Sequence, residues 1–296
     1  MEKIAVTGGN SNAGRYIVDE LLRHDYDVLV IDHFEDICAP QAGSRVDLTN
    51  YSDVFTLLSE WDAVVHLGKE HLPHSKNELH AVRQFSHNTI GTYNVFRAAA
   101  KLGMHRVVWA NSESVLGSFL EKPKTVPLDE NCHVKVSSDF ALSQVMCQRL
   151  AEEISQLFGM PIVGLRFCNL IFDDVTMDAN YRQIPKFWKS PFAGRSNLWS
   201  YLDARDAATS VRLALEADIS SAENFLISAG DTIMNWPNKK LIESVFPGVE
   251  IKQGTGDFQS LLSTEKARKM LGFAPRYSWR DFVGEQTEPG TRHSGH

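Results

Sequence analysis

The residues of this chain best suited to chemistry stand at the ends of short apolar runs. Ile4-Ala5-Val6-Thr7 stops at Gly8 and Gly9, and Gly14 follows after Ser11, Asn12 and Ala13. Glycines here let a backbone approach a pyrophosphate, and a helix starting here offers N–H groups and partial positive charge. The run Asp27 to Ile31 ends in Asp32, 18 residues beyond Gly14. A carboxylate at that spacing accepts the hydroxyls of an adenosine ribose and repels a 2′-phosphate, selecting NAD over NADP. His33 beside it works the other way, since a cation there can meet a phosphate. A plain strand–turn–helix unit whose Asp32 caps a neighbour explains the same residues less fully.

Further along, Asp62 to Gly68 is apolar on both faces and leads into Lys69 and Glu70. A desolvated lysine at the mouth of a crevice acts as a base or binds an anion; the plainer expectation is a surface lysine pointing to water. His71 and His74 are three apart, a spacing that can suit a metal, but no third ligand is apparent and solvated loop histidines are expected. The run Arg106 to Ala110 ends in Asn111, Ser112, Glu113 and Ser114. Ser112 can donate to a substrate oxygen. Glu113 reads equally as an acid or base and as a charge on the rim. Asp47 either meets an adenine amino group or caps the helix from Tyr51 to Glu60.

These groups need a frame. Helical periodicity in Ile17, Val18, Leu21 and Leu22 follows the glycines. Strands are expected at 4–6, 27–32, 45–48, 62–68, 106–112 and 162–167, with long helices at 77–102 and 138–158. Gly159 and Pro161 close the second of these. The alternation loosens after Asn169, with short elements near 184–189 (helix), 199–202 (strand), 205–217 (helix), 224–228 (strand), 236–246 (helix) and 264–271 (helix). The fold class is α/β, a Rossmann-type doubly wound parallel sheet with a smaller mixed α/β C-terminal substrate-binding region. The expected division is 1–168 for the NAD(P)-binding part and 169–283 for the substrate part, some of whose elements return to the sheet. Residues 284–296, polar with Pro, Gly and Ser, form a loose tail. Open α/β sheets bind ligands at the carboxyl ends of their strands, where Gly8, Asp32, Gly68, Ser112 and Phe167 all lie.

Composition narrows the function. The chain has 296 residues, 43% of them hydrophobic, enough for a sizeable core. A net charge of −7 disfavours nucleic acid as a partner. No run of 18 apolar residues is long enough to span a membrane, and with a strand expected from the first residues on, no signal peptide is expected. Cys38, Cys132, Cys147 and Cys168 show no CxxC spacing, which suits reduced thiols in a cytoplasm.

Several stretches together resemble the extended short-chain dehydrogenases/reductases of the NAD-dependent epimerase/dehydratase family. They include Thr7-Gly8-Gly9 with Gly14, Val64-Val65-His66-Leu67, Asn88-Thr89-Ile90-Gly91-Thr92, and Val107 to Ser112 with Val115-Leu116-Gly117. Leu165-Arg166-Phe167 with Asn169, Tyr201 to Ala208, and Lys266 to Pro275 continue the likeness to residue 282. The resemblance implies NAD, less so NADP, and a small hydroxylated or carbonyl substrate of the sugar, sugar acid or sugar nucleotide class. It implies cofactor contacts from Gly8, Ser11, Asn12, Ala13, Gly14 and Asp32. It adds Asp47, Leu48, Leu67, Gly68, Lys69, Asn88, Gln144 and Phe167, and no metal. It also implies a homodimer packed through the helices 77–102 and 138–158.

The departures bear on catalysis. Relatives carry a Tyr-x-x-x-Lys pair early in the second long helix; here Phe140 stands for the tyrosine and Gln144 for the lysine. Ser11 replaces the middle fingerprint glycine, while Ser112 keeps the position of the family's catalytic hydroxyl. Phe140 has no proton to give, and Gln144 brings no charge to lower the pKa of a neighbour. Phe140 and Trp109 read most simply as core. Restoring Tyr and Lys singly is expected to do little, and together more than the sum. Ser11 either weakens phosphate contact or adds a donor. Three functions remain: NAD-dependent chemistry with Ser112, Lys69 or Glu113 substituting for the pair, a non-redox lyase, isomerase or cyclase in the same pocket, and a non-catalytic NAD-binding protein.

Overall fold

The computed structural model describes residues 1–32, 43–70, 78–117 and 122–283. Apolar runs bounded by glycine or polar residues become short strands, and amphipathic stretches become the helices that cover them. In chain order these are β1 (Lys3–Thr7), α1 (Asn12–Arg23), β2 (Asp27–Asp32), β3 (Gly43–Arg45), α2 (Tyr51–Leu58), β4 (Ala63–His66), α3 (Glu78–Leu102) and β5 (Arg106–Ser112). A 3₁₀ turn at Glu113–Leu116, β6 (Thr125–Val126), α4 (Asp139–Phe158) and β7 (Ile162–Phe167) follow. Next come β8 (Leu170–Ile171), a 3₁₀ segment at Tyr181–Lys189, β9 (Leu202–Asp203), α5 (Ala204–Glu216) and β10 (Ala222–Ile227). The last are α6 (Asn238–Val245), β11 (Glu250–Ile251), α7 (Glu265–Leu271) and α8 (Arg280–Val283).

Seven strands form one parallel sheet in the order β10-β7-β5-β4-β1-β2-β3. The winding reverses between β1 and β4, which opens a crevice at their carboxyl ends. Strand β4 is buried at every residue, as a strand covered on both faces must be. Two apolar layers fill the faces. One packs Ile17, Val18 and Leu21 of α1 with Val211 and Ala214 of α5. The other packs Val95, Phe96 and Ala99 of α3 with Cys147, Ala151 and Ile154 of α4. Strand β10, far along the chain, returns to edge the sheet, held to α7 by Lys266 Nζ on Glu223 at 2.7 Å.

Helix ends follow local chemistry. The Ser138 hydroxyl accepts from Ala141 N at 3.1 Å and starts α4, and Gly159, left-handed at φ 66°, ends it. Several expectations shift. The third strand lies at 43–45 rather than 45–48. Val46 and Leu48 alternate inward and mimic a strand, but the ladder ends where Val46 N donates to Asp32 O. Asp47 does not cap α2. Its Oδ1 accepts from Thr49 N at 2.9 Å in a local turn, and Asn50 caps the helix through Ser52 N at 3.1 Å. The strand expected at 199–202 is only Leu202–Asp203 there, because Leu198 and Trp199 are left-handed, at φ 55° and 57°. The helix expected near 184–189 is a 3₁₀ segment interrupted by Pro185. His33, Cys38, His71, His74 and residues 284–296 lie outside the described residues.

Candidate functional site

The first cleft forms where the glycine turn meets the ends of β2 and β4. Gly8 is left-handed at φ 73°, and a Cβ there would sit 2.9 Å from Gly68 N. A Cβ on Gly14 would fall 2.4 Å from Gly8 O. No side chain fits at either place, so the turn and the start of α1 stay open to a phosphate. Ser11 resolves the ambiguity of its replacement. Its hydroxyl donates to Gly8 O at 2.7 Å and accepts from Gly14 N at 3.0 Å, so it closes the turn and caps α1. It is a brace, not an extra donor to a ligand.

Asp32 is buried at the tip of β2, where its Oδ2 accepts from Asn10 N at 3.0 Å. With Gly8, Ser11, Val46, Leu48, Leu67 and Gly68 it lines a cavity of about 580 Å³. Lys69 and Glu70 continue the wall, and α3 contributes His80, Arg83 and His87 at helical spacing. Arg83 Nη2 holds Glu70 Oε1 at 2.9 Å. Asn12 and Ala13 open α1 beside this cavity without lining it, and Asp47 turns outward. A glycine cradle, a carboxylate at the next strand and apolar walls of Ile31, Val46, Leu48 and Leu67 fit a dinucleotide.

Beneath the cleft, His66 joins three elements. Its Nδ1 is 2.7 Å from Thr7 Oγ1, and its Nε2 is 3.0 Å from Thr92 Oγ1. Burial, with Lys69 nearby, lowers its pKa to about 3, so it stays neutral. Thr7 Oγ1 in turn accepts from Gly68 N at 3.2 Å. Asn88 is fully buried. Its amide accepts from Glu70 N at 2.8 Å and donates to Glu70 O at 3.0 Å. Expected at the cofactor, Asn88 instead clamps the backbone that carries Lys69.

That clamp turns Lys69 inward. Lys69 Nζ donates to Gln144 Oε1 at 2.5 Å and lies 4.8 Å from the centre of the Trp109 ring. The expectation of a surface lysine pointing to water does not hold. Burial lowers its pKa from 10.5 to about 7. Gln144, which the resemblance sets at the lysine position, is wholly buried and carries a neighbour's ammonium. A positive charge therefore reaches the start of α4 from the end of β4.

A second cleft of about 880 Å³ adjoins the first and shares Leu67, Lys69 and His80 with it. Ser112, Glu113, Phe140, Phe167, Cys168 and Asn169 also line it. Phe140 is thus a wall of the cleft rather than core, whereas Trp109 is fully buried. Ser112 Oγ donates to Glu113 Oε2 at 3.1 Å and accepts from Ser114 N at 3.1 Å, capping the 3₁₀ turn. Burial raises the Glu113 pKa to about 7 despite its hydrogen bonds from Ser112 and Ser114. A carboxyl poised there suits proton transfer near neutrality.

Gln84, His80 and Arg83 were not anticipated from the sequence. They sit on α3 among polar residues whose inward face no periodicity singles out. Among the described residues no cluster of three or more His, Cys, Asp or Glu side chains can hold a metal.

Comparison with known proteins agrees with this arrangement. Residues 4–228 match the family model described as NAD dependent epimerase/dehydratase family. The UDP-glucose 4-epimerase of Lacticaseibacillus casei is 23% identical over 318 residues, covering 95% of this chain and 94% of that protein. The uronate dehydrogenase of Pseudomonas putida is 24% identical over 169 residues, covering 55% of this chain and 59% of that protein. Several other curated relatives are matched over only about half of their own length. A crystal structure of a short-chain dehydrogenase/reductase superfamily protein from Agrobacterium tumefaciens with bound NAD shares the fold. Its TM-score is 0.72 at 21% identity, covering 94% of each chain. The family match runs through the glycine cradle, both clefts and the return of β10 to the sheet, and the chain belongs to the NAD dependent epimerase/dehydratase family.

Proposed function

We propose that this protein binds NAD in the first cleft and acts on a small hydroxylated or carbonyl compound of the sugar class in the second. The observation that carries this reading is the Lys69 ammonium seated on Gln144, at the junction of the two clefts and beside the cleft that holds Glu113. When bound, the dinucleotide supplies a hydride acceptor and donor. Gly8, Gly14 and the first turn of α1 receive its pyrophosphate, and Asp32 receives ribose hydroxyls and disfavours NADP.

The chain's own residues then manage the proton. Glu113, as carboxylate, takes the proton from a substrate hydroxyl, and as acid returns it to a carbonyl oxygen. A pKa near 7 serves both directions. Ser112 orients Glu113 by donating its one hydroxyl proton to the carboxylate. Lys69 contributes the positive field that relatives draw from α4, favouring negative charge on that oxygen. Phe140 makes one wall apolar and strengthens these interactions by excluding water.

Two further features belong to this reading. Leu79, Val82, Ile90 and Tyr93 of α3 and Met146 and Leu157 of α4 are exposed apolar side chains, which supports a homodimer through these helices. Among the described residues no helix is long and apolar enough to cross a membrane, and Cys132, Cys147 and Cys168 are free thiols. Both observations support a cytoplasmic setting. Calorimetry with NAD and NADP, followed by absorbance at 340 nm with a panel of sugars, sugar acids and sugar nucleotides, tests the proposal. Tighter NAD binding and NADH signal with a panel member are expected. NAD binding with no reaction across the panel would favour a non-catalytic role, and turnover without nucleotide a non-redox one.

A further inference from the structure

Gln84 lies on α3, one helical turn before Asn88, and is only 4% exposed. Its side chain faces the second cleft, and its Nε2 has no hydrogen-bond partner. A buried amide donor left unsatisfied costs free energy, and such groups persist in folded proteins where water or a ligand completes them. Asn88 fixes the Glu70 backbone, so the same stretch of α3 that carries Gln84 also borders Lys69. One wall of the cleft thus presents an ammonium and an amide, both donors.

The remaining charges set the ligand's chemistry. Among the described residues that line this cleft, Lys69 is the sole lysine and there is no arginine. A diphosphate carries at least two charges and is commonly held by guanidinium forks or paired cations. A single carboxylate matches one ammonium and one amide. The acidic residues of the cleft, Glu113 and Asp139, come from the end of β5 and the start of α4, leaving the α3 wall without a carboxylate. The N-terminal turn of α4, with Ser137 and Ser138, also borders the cleft and adds a favourable dipole for an anion.

We propose that the substrate is a free sugar acid whose carboxylate is received by the Gln84 amide, in the field of Lys69. This rests on the NAD-dependent, sugar-class reading above and names its substrate. Gln84 is then a specificity residue: it selects the acid over the parent sugar and has no part in proton transfer.

The test uses the full chain saturated with NADH, so that a hydroxylated ligand binds without being oxidised. Calorimetric titrations with D-glucuronate and D-galacturonate are compared with D-glucose, D-galactose and UDP-glucose, for wild type, Gln84→Leu and Gln84→Glu. Wild type is expected to bind a hexuronate at least about tenfold tighter than its parent hexose, the range of a hydrogen bond to a charged group. Gln84→Leu should weaken the hexuronate about ten- to hundredfold and leave NAD and hexose affinity unchanged. Its melting temperature should hold or rise, since an unsatisfied donor is removed; a merely structural glutamine would lower it. Gln84→Glu should abolish the preference for the acid. Tighter binding of UDP-glucose than of either hexuronate, or a preference that survives Gln84→Leu, overturns this inference and leaves the sugar-class reading standing. Binding of NAD but of no sugar-class ligand overturns both.

Discussion

Replacing Lys69 by methionine should make the protein more stable and less active, by amounts that depend on pH. Burial lowers the folded pKa of Lys69 from 10.5 to about 7. That gap corresponds to about 5 kcal/mol of cost for keeping the side chain charged in the folded state. The unfolded lysine keeps its proton up to about 10.5, the folded one only up to about 7. The cost is therefore full below about 7, falls by about 1.4 kcal/mol per pH unit above it, and vanishes beyond about 10.5. Methionine fills a similar volume without charge. It forfeits the hydrogen bond to Gln144 and the contact with Trp109, together worth about 1–2 kcal/mol. Because Lys69 lines both clefts and keeps some solvent, the net gain is at most about 3–4 kcal/mol at pH 6 and about 1 kcal/mol or less at pH 9. Urea unfolding of both proteins at the two pH values measures it. Turnover by the same variant should fall at least about 10²-fold, the scale of a lost electrostatic group at a reacting centre. A variant less stable than wild type at pH 6, or a difference that does not shrink with pH, refutes the picture of a partly buried, poorly solvated ammonium.

Glu113→Gln should lower turnover about 10²- to 10⁴-fold and remove the limb of the oxidation profile that rises through pH 7 as Glu113 ionises, while the falling limb set by deprotonation of Lys69 stays. Phe140→Tyr alone should raise redox activity: Lys69 already supplies a cation at Gln144, so a phenol one turn away has something to lower its pKa. This departs from the expectation that neither single restoration matters, and Gln144→Lys alone should lower activity by setting two ammoniums together; rates for these two variants decide it. Ile90→Glu, on the exposed apolar face of α3, should shift a dimeric mass to a monomeric one in light scattering while NAD affinity is retained; an unchanged mass would place the interface elsewhere.

Much of the fold was legible because its signals are local. Gly8, Gly14 and Asp32 carry their meaning in spacing, and the strands show as buried apolar runs. Third-strand boundaries were misread because Val46 and Leu48 go on alternating inward beyond the last paired residue, Arg45. Of the two alternatives for Asp47 the cap falls away, because a capping side chain and a local turn to Thr49 use the same residue type. Lys69 posed a different problem. Its inward course depends on Asn88, on α3, and on Gln144, on α4, so no property of its own neighbourhood distinguishes it from a solvated lysine. Gln84 is harder still, since what marks it is a missing partner, visible only once the helices are packed. Ser11 was readable as a departure, but its effect depended on whether its hydroxyl faced the cleft or the Gly8 carbonyl.

On the proposed reading Lys69, instead of position 144, delivers the positive charge needed at the start of α4. Moving the charge back tests this most directly. NADH formation at 340 nm is measured for wild type, Lys69→Gly, and Lys69→Gly combined with Gln144→Lys, with NAD affinity as the control for folding. The single variant should lose about 10²-fold or more in rate, and the combined variant should regain most of that loss. A Lys69→Gly variant as fast as wild type, or a combined variant no faster than the single one while both still bind NAD, would contradict it.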